Sequence, residues 1–280
     1  MPFYADLHCH TTCSDGSLSP EEIVRLAKEK GLSGLSITDH DTIDAYTWAI
    51  PEAKKQGIEL ITGVEFSASH AGVPIHILAY AFSLESEEIK NFCQLHHARR
   101  DNRNKAILEK LRIHNMPVSM DEIFDIIKNS PTSHSDQIIG RPHIAQVMVN
   151  KGYVKTIQDA FRLYLAEDKS CYDPGKIFTV QETIDVIHKA KGIAVIAHPH
   201  LIKNSKVLFE ILELNFDGIE CFYACFYPEQ NKRWIKIAQK KNWLMTGGSD
   251  FHGDIKPNLP LGASGVDEKA FRAIQNVIGK

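Results

Sequence analysis

Polar and apolar residues alternate over FYADLHCH at the N-terminus, with Ala5, Leu7 and Cys9 facing opposite to Asp6, His8 and His10; a period of two predicts a strand. The pattern then turns helical over SPEEIVRLAKEKG. Ser19 is placed to cap that helix, Pro20 fits its first position, Glu22 completes a capping box and Gly31 ends it. LSGLSITDH predicts a second strand, with a helix after it through about Lys55. IELITGVEFS and VPIHILAYAF predict a third and a fourth, and GIAVIAHP, DGIECFY and WLMTGGSD three more. Helical patterns such as VQETIDVIHKAKG and PEQNKRWIKIAQKKN are interleaved with these last three.

Strand and helix alternating at both ends of the chain argue for an α/β fold with a mainly parallel sheet. Seven strands are close to the number that closes a barrel, so an α/β barrel is expected. From about Ser86 to Asp173 only helical stretches occur. The expected organisation is therefore a barrel domain over residues 1–85 and 174–280. Residues 86–173 would be an all-helical insertion serving as a lid or substrate domain.

Composition narrows the function. A hydrophobic share of 43% with 24% charged residues is ordinary for a globular enzyme. A net charge of -3 argues against a general coat for duplex nucleic acid, which needs a basic excess, but leaves room for a pocket that binds one phosphate. No apolar run is long enough to span a membrane, and no secretory leader is evident, so the expected compartment is the cytoplasm. Six scattered cysteines fit reduced thiols better than a disulfide framework. The 14 histidines are the departure from the ordinary. His96, His97 and His114 read as surface residues, whereas others lie in apolar strands, where an unpaired imidazole costs free energy.

Those histidines fall, with several carboxylates, at the C-terminal ends of predicted strands, the rim where α/β barrels carry their chemistry. His8 and His10 project from one face of a strand and can share a metal ion, with Asp6 placed to orient a ring. Asp15, in CSDGS, reads first as a turn aspartate. His40 ends the second strand, with Asp39 or Asp41 as its orienting carboxylate; Asp41 also suits the cap of the next helix. Glu65 adds a carboxylate able to bridge two ions. His76 and His198 sit in or at the end of apolar strands. Asp250 and His252, in GGSDFH, repeat the spacing of the first strand. Within the helical segment, Arg141 offers a planar fork suited to phosphate and His143 a hydrogen bond or proton, though Arg141-Pro142-His143 also suits a plain helix start. Cys9-x3-Cys13 and Cys221-x3-Cys225 read as small buried hydrophobes rather than a zinc site.

The segments DLHCHT, TDHD, GVE, the strand His76, RPH, AHP and GSDFH occur in the order found in the polymerase and histidinol phosphatase (PHP) superfamily, and the chain resembles its branch of phosphoesterases acting on nucleotides and short RNA. The resemblance implies a distorted seven-stranded (β/α) TIM-like barrel holding three divalent ions. His8, His10, Glu65 and Asp250 would hold the first, Glu65, His76 and His198 the second, and Asp15, His40 and His252 the third, which removes Asp15 from the turn reading. It also implies that Arg141 and His143 contact phosphate. His200 stands where that branch usually has Gly, which leaves the local substrate contacts open.

The mixed nitrogen and oxygen donors suit two to three ions of Mn, Zn or Fe. The expected reaction is hydrolysis of a nucleotide or short oligoribonucleotide, of phosphatase or exonuclease type, by a metal-bridging hydroxide, with Asp250, Arg141 and His143 in the catalytic machinery. Tyr164 and Tyr172 favour a nucleotide because bases stack on aromatic rings, with Tyr172 the expected substrate contact. The alternatives are a small-metabolite phosphatase of histidinol-phosphate type and a non-catalytic metal-binding module.

Overall fold

A computed structural model describes residues 2–128, 139–167, 169–175, 178–224 and 226–277. In chain order the elements are β1 (Tyr4–Cys9), α1 (Pro20–Glu29), β2 (Gly34–Ile37), α2 (Tyr46–Gln56), β3 (Glu59–Leu60), β4 (Gly63–His70), β5 (Val73–Tyr80), α3 (Glu87–Ile113), α4 (Met120–Lys128), α5 (Arg141–Asn150), α6 (Ile157–Ala160), β6 (Phe178–Thr179), α7 (Val180–Lys189), β7 (Ile193–Ile196), α8 (Ser205–Leu212), β8 (Gly218–Tyr223), α9 (Pro228–Lys241), β9 (Leu244–Gly248), β10 (Val266–Asp267) and α10 (Glu268–Gln275). A π-helical turn, Phe161–Leu165, follows α6. The chain divides into two compact units, one of Met1–Cys93 with Phe178–Lys280 and one of Gln94–Ile177; the boundary at Cys93 falls within α3.

The first unit is mixed α/β. Its strands pair in two sheets, ordered β10-β1-β2-β3 and β6-β4-β5-β7-β8-β9, and among the described residues the ladders do not close into a barrel. Three local features account for the differences from the expected seven strands. IELITGVEFS divides at Ile61–Thr62 into β3 and β4, which join different sheets. β4 and β5 form a hairpin whose turn, Ala71–Gly72, has φ of 48° and 77°, the left-handed pair that a two-residue hairpin turn requires. That turn makes β5 antiparallel to β4, and β5 is antiparallel to β7 as well, so the larger sheet is not mainly parallel throughout. β6 and β10 are two-residue strands too short to leave a periodic signal.

The helices follow their caps. Ser19 Oγ accepts the Glu22 N–H at 3.2 Å and the Glu22 carboxylate accepts the Ser19 N–H at 2.7 Å, so both partners of the expected capping box are engaged. α1 then buries Ile23, Val24 and Ala27 against Leu35 and Ile37 of β2. Thr179 and Glu182 cap α7 in the same way. Asp41 does not cap α2: the cap position is Ala45, and Asp41 instead accepts the backbone and hydroxyl of Ser67 at 2.8 and 3.0 Å. Cys9 and Cys13 are buried in the cluster under α1, and Cys221 in that of the larger sheet; Cys225 lies outside the described residues.

The second unit is helical among its described residues and has its own core around Ile107, Leu111, Ile144 and Met148. His96, read from sequence as a surface residue, has no solvent exposure. Position within a helix of low amphipathicity carries no signal for which face is covered.

Candidate metal centre

Backbone bonds bring the strand ends of the first unit together. The Asp250 N–H donates to His8 O and the His10 N–H to Phe251 O, both at 2.8 Å, joining the end of β1 to the segment after β9. Likewise Glu65 N–H donates to Asp39 O and Asp41 N–H to Glu65 O, joining the end of β2 to β4. Gly248 makes the first junction possible, since a Cβ there would lie 2.4 Å from both Cβ and N of His8. Asp250 and His198 have φ of 54° and 24°, left-handed conformations that non-glycine residues hold only where surroundings enforce them.

The nine candidate ligands converge in the first unit. Glu65 is buried at the centre and its two oxygens face different partners. Oε2 lies 3.4 Å from His8 Nε2, 3.2 Å from His10 Nε2 and 3.3 Å from His40 Nδ1. Oε1 lies 2.9 Å from both His76 Nδ1 and His198 Nε2. Asp250 Oδ1 is 3.5 Å from His8 Nε2 and 3.4 Å from His10 Nε2. Asp15 faces His252 Nε2 at 3.4 Å, His10 Nδ1 at 3.6 Å and His40 Nε2 at 3.9 Å. Among the described residues three sets offer donor atoms within 4.8 Å of one another: His8, His10, Glu65 and Asp250; His10, Asp15, His40 and His252; and His40, Glu65 and His76. His76, 32% exposed, is the open side of the cluster, whereas His8 and His10 are fully enclosed.

These spacings are those of donors around a cation. With metal–donor bonds of about 2.0–2.2 Å, neighbouring donors in tetrahedral or octahedral shells stand roughly 2.8–3.6 Å apart. His8 Nε2, both nitrogens of His10 and His40 Nδ1 are buried without a hydrogen-bond partner, an arrangement proteins avoid unless something else takes the lone pair. The residues present therefore fit divalent ions.

Charge is distributed accordingly. Burial alone would raise the carboxyls, but His40, His76 and His8 hold Glu65 well below the usual range. Lys256, His252 and His8 do the same for Asp250, and His252 and His40 for Asp15. Burial opposes protonation of His10, yet Asp250, Glu65 and Asp15 raise it to about 9. Three anionic carboxylates at one buried point are the complement of a cationic guest.

The orienting groups differ from those expected. Asp6 accepts the backbone N–H groups of His8, Ser249 and Gly262 rather than turning a ring, and burial pushes it up to about 6. Asp39 accepts the Thr11 N–H and hydroxyl at 2.7 and 2.6 Å, and the His40 ring faces Glu65 and Asp15 instead. Three residues not singled out from sequence complete the surroundings. Glu220 meets His8 Nδ1 at 3.0 Å, the Tyr223 hydroxyl donates to Asp250 Oδ2 at 2.8 Å, and Lys256 pairs with the same oxygen at 2.9 Å. Glu220 was visible in principle, as a charge inside the apolar run GIECFY, by the criterion that marks His76. The His200 ring packs on Tyr223 and Phe226, centroids 4.6 and 4.4 Å apart.

Arg141, His143 and Tyr172 lie together in the second unit. Arg141 opens α5, its guanidinium 5.4 Å from the Tyr172 ring and 5.7 Å from Phe161, with one nitrogen donating to Leu165 O at 3.2 Å. His143 Nδ1 accepts the Gly140 N–H at 3.0 Å, so this imidazole caps the start of its own helix. The Tyr164 ring packs instead against His114, centroids 6.3 Å apart.

Comparison with known proteins finds relatives over nearly the whole chain. The PHP domain family matches residues 6–168, more than half of the 280. The chain is 33% identical over 252 residues to a 5′-3′ exoribonuclease of Haemophilus influenzae, spanning 88% of this chain and 89% of that one. It is 27% identical to a 3′,5′-nucleoside bisphosphate phosphatase of Chromobacterium violaceum, over 88% and 86% of the two chains. A solved structure from Bifidobacterium adolescentis, assigned as a metal-dependent phosphoesterase, superimposes with a TM-score of 0.87 at 32% identity, covering 98% of this chain and 96% of that one. Family match, near full-length relatives and a shared architecture together establish that this protein belongs to the PHP domain family.

Proposed function

We propose that the protein is a metal-dependent phosphoester hydrolase acting on nucleotides or short oligoribonucleotides. The observation that carries this is Glu65, whose two oxygens face two separate imidazole sets, as a carboxylate bridging two ions would. The proposed assignment is His8, His10, Glu65 and Asp250 for one ion, Glu65, His76 and His198 for a second, and Asp15, His40 and His252 for a third. Mn, Zn and Fe all suit these donors. Divalent ions held there supply Lewis acidity toward phosphoryl oxygens and activate water near neutral pH. The isolated bridges Cys9–Phe251 and His40–Glu65 support reading β1, β2, β4, β5, β7, β8 and β9 as one distorted seven-membered ring around the site.

The chain's own residues do the rest. Asp250 is held by Tyr223 and Lys256 through Oδ2, which leaves Oδ1 directed at His8 and His10. In the proposal the helical unit acts as the substrate domain, where Arg141 binds a phosphate by its fork and Tyr172 and Phe161 keep the guanidinium plane fixed. Because His143 Nδ1 already accepts the Gly140 N–H, its proton resides on Nε2, and it serves as a neutral donor to phosphate rather than as an imidazolium acid. The compartment proposed for this work is the cytoplasm, where nucleotide and RNA substrates are abundant. Relatives named as an exoribonuclease and a nucleoside bisphosphate phosphatase support the substrate class.

The test is a steady-state screen of metal-stripped protein with Mn added back, against nucleoside mono- and bisphosphates, short RNAs, histidinol phosphate and p-nitrophenyl phosphate. Nucleotides or RNAs should exceed the small esters in kcat/KM. Equal or better turnover of histidinol phosphate would replace this substrate class, and no turnover of any ester would favour a binding module.

A further inference from the structure

β8 supplies none of the nine residues proposed to hold metal, yet it carries Glu220, a carboxylate with no solvent exposure among apolar neighbours. A charge in such a place is retained only when its oxygens are engaged. Both are. Oε1 lies 3.0 Å from His8 Nδ1, and Oε2 accepts the His198 N–H at 2.7 Å.

The two recipients face different oxygens of Glu65. His8 Nε2 points at Oε2 and at Asp250, while His198 Nε2 points at Oε1 and stands 3.3 Å from His76 Nδ1. An imidazole whose Nδ1–H is taken by a carboxylate has its proton fixed there and its Nε2 lone pair available. His198 is held differently. Its backbone, at φ 24° and ψ 62°, is strained, and the bond to Glu220 is the one that anchors its N–H.

We propose that Glu220 is a positioning residue for two ions at once: it sets the tautomer of His8 in one donor set and the backbone turn that aims His198 in the other. The inference rests on the metal reading above. A purely structural carboxylate would contribute to folding but would leave the affinity of the folded protein for metal unchanged.

Metal-stripped wild type, Glu220→Ala and Glu220→Gln should be titrated with Zn²⁺ against a chromophoric chelator. Long-range ¹H–¹⁵N spectra of the zinc-loaded proteins would report histidine tautomers, and thermal unfolding would confirm that each variant is folded. Loss of an orienting partner of this kind typically weakens metal binding by roughly 10–100-fold, and Glu220→Ala should show that loss at two equivalents together. The Nδ1–H form of His8, present in wild type, should lose its dominance. Glu220→Gln has one carbonyl oxygen where two acceptors are needed, so its amide can serve His8 or His198 but not both, and its affinity should fall several-fold. If Glu220→Ala does not fold, the isosteric Gln variant decides by the same readouts. Folded variants with wild-type zinc affinity and an unchanged His8 tautomer would overturn the proposal, as would, in Glu220→Ala, weakening confined to one ion. Failure of the wild type itself to bind zinc would overturn the metal reading, a result distinguishable from the other two.

Discussion

At Glu65 the structure offers two oxygens to two sets of imidazoles, and at Arg141 a guanidinium within reach of two aromatic rings. The two residues do different work and should fail differently. Arg141→Ala should lower kcat/KM roughly ten- to a hundredfold, the equivalent of about 1.5–3 kcal/mol for a charge-assisted contact, and leave metal content unchanged. Arg141→Lys should recover only part, because an ammonium cannot reproduce the planar fork or its stacking. Wild-type kinetics in Arg141→Ala would mean that the second unit does not hold the phosphate. Much at this scale was legible in the chain, because a His or Glu inside an apolar strand needs a physical reason, and alternation shows which of them share a face. The orienting groups were less so. Asp6 sits beside His8 and was expected to turn its ring, yet Glu220, far away in sequence, does so; the partner of a ring nitrogen depends on strand order, which local pattern does not carry.

At the scale of elements, caps were readable because they are local chemistry. Ser19→Ala removes the side-chain acceptor for the Glu22 N–H and should lower stability by about 1 kcal/mol, measured by chemical denaturation, with metal content and activity retained. An unchanged midpoint would show that α1 is held by its buried face alone. The strand positions followed from periodicity for the same local reason. What periodicity did not convey was pairing. An apolar run such as VPIHILAYAF reads identically in a parallel or an antiparallel neighbour, and the direction of β5 is decided by Ala71–Gly72, a two-residue turn whose left-handed backbone has no hydrophobic signature. The break of IELITGVEFS at Ile61–Thr62 is equally silent, since Ile61 is fully buried and continues the apolar pattern while the chain changes sheets.

For the whole molecule, the proposed donors run from His8 to His252, so ions at this site would tie together nearly the full length of the first unit. Ligands that bind only the folded state stabilise it by mass action, about 2.7 kcal/mol at a hundredfold excess over Kd. Without a cation, the buried Glu65 and Asp250 and the half-buried Asp15 are anions balanced by neighbouring imidazoles and Lys256, an arrangement costly to keep. The central claim is that this cluster binds divalent ions and that hydrolysis depends on them. Elemental analysis of the purified protein, with activity assayed before and after chelation and after Mn is returned, tests it most directly. Two to three equivalents of transition metal, with activity lost in chelator and restored by Mn, is the predicted result. Protein free of metal that keeps full activity in chelator would contradict it.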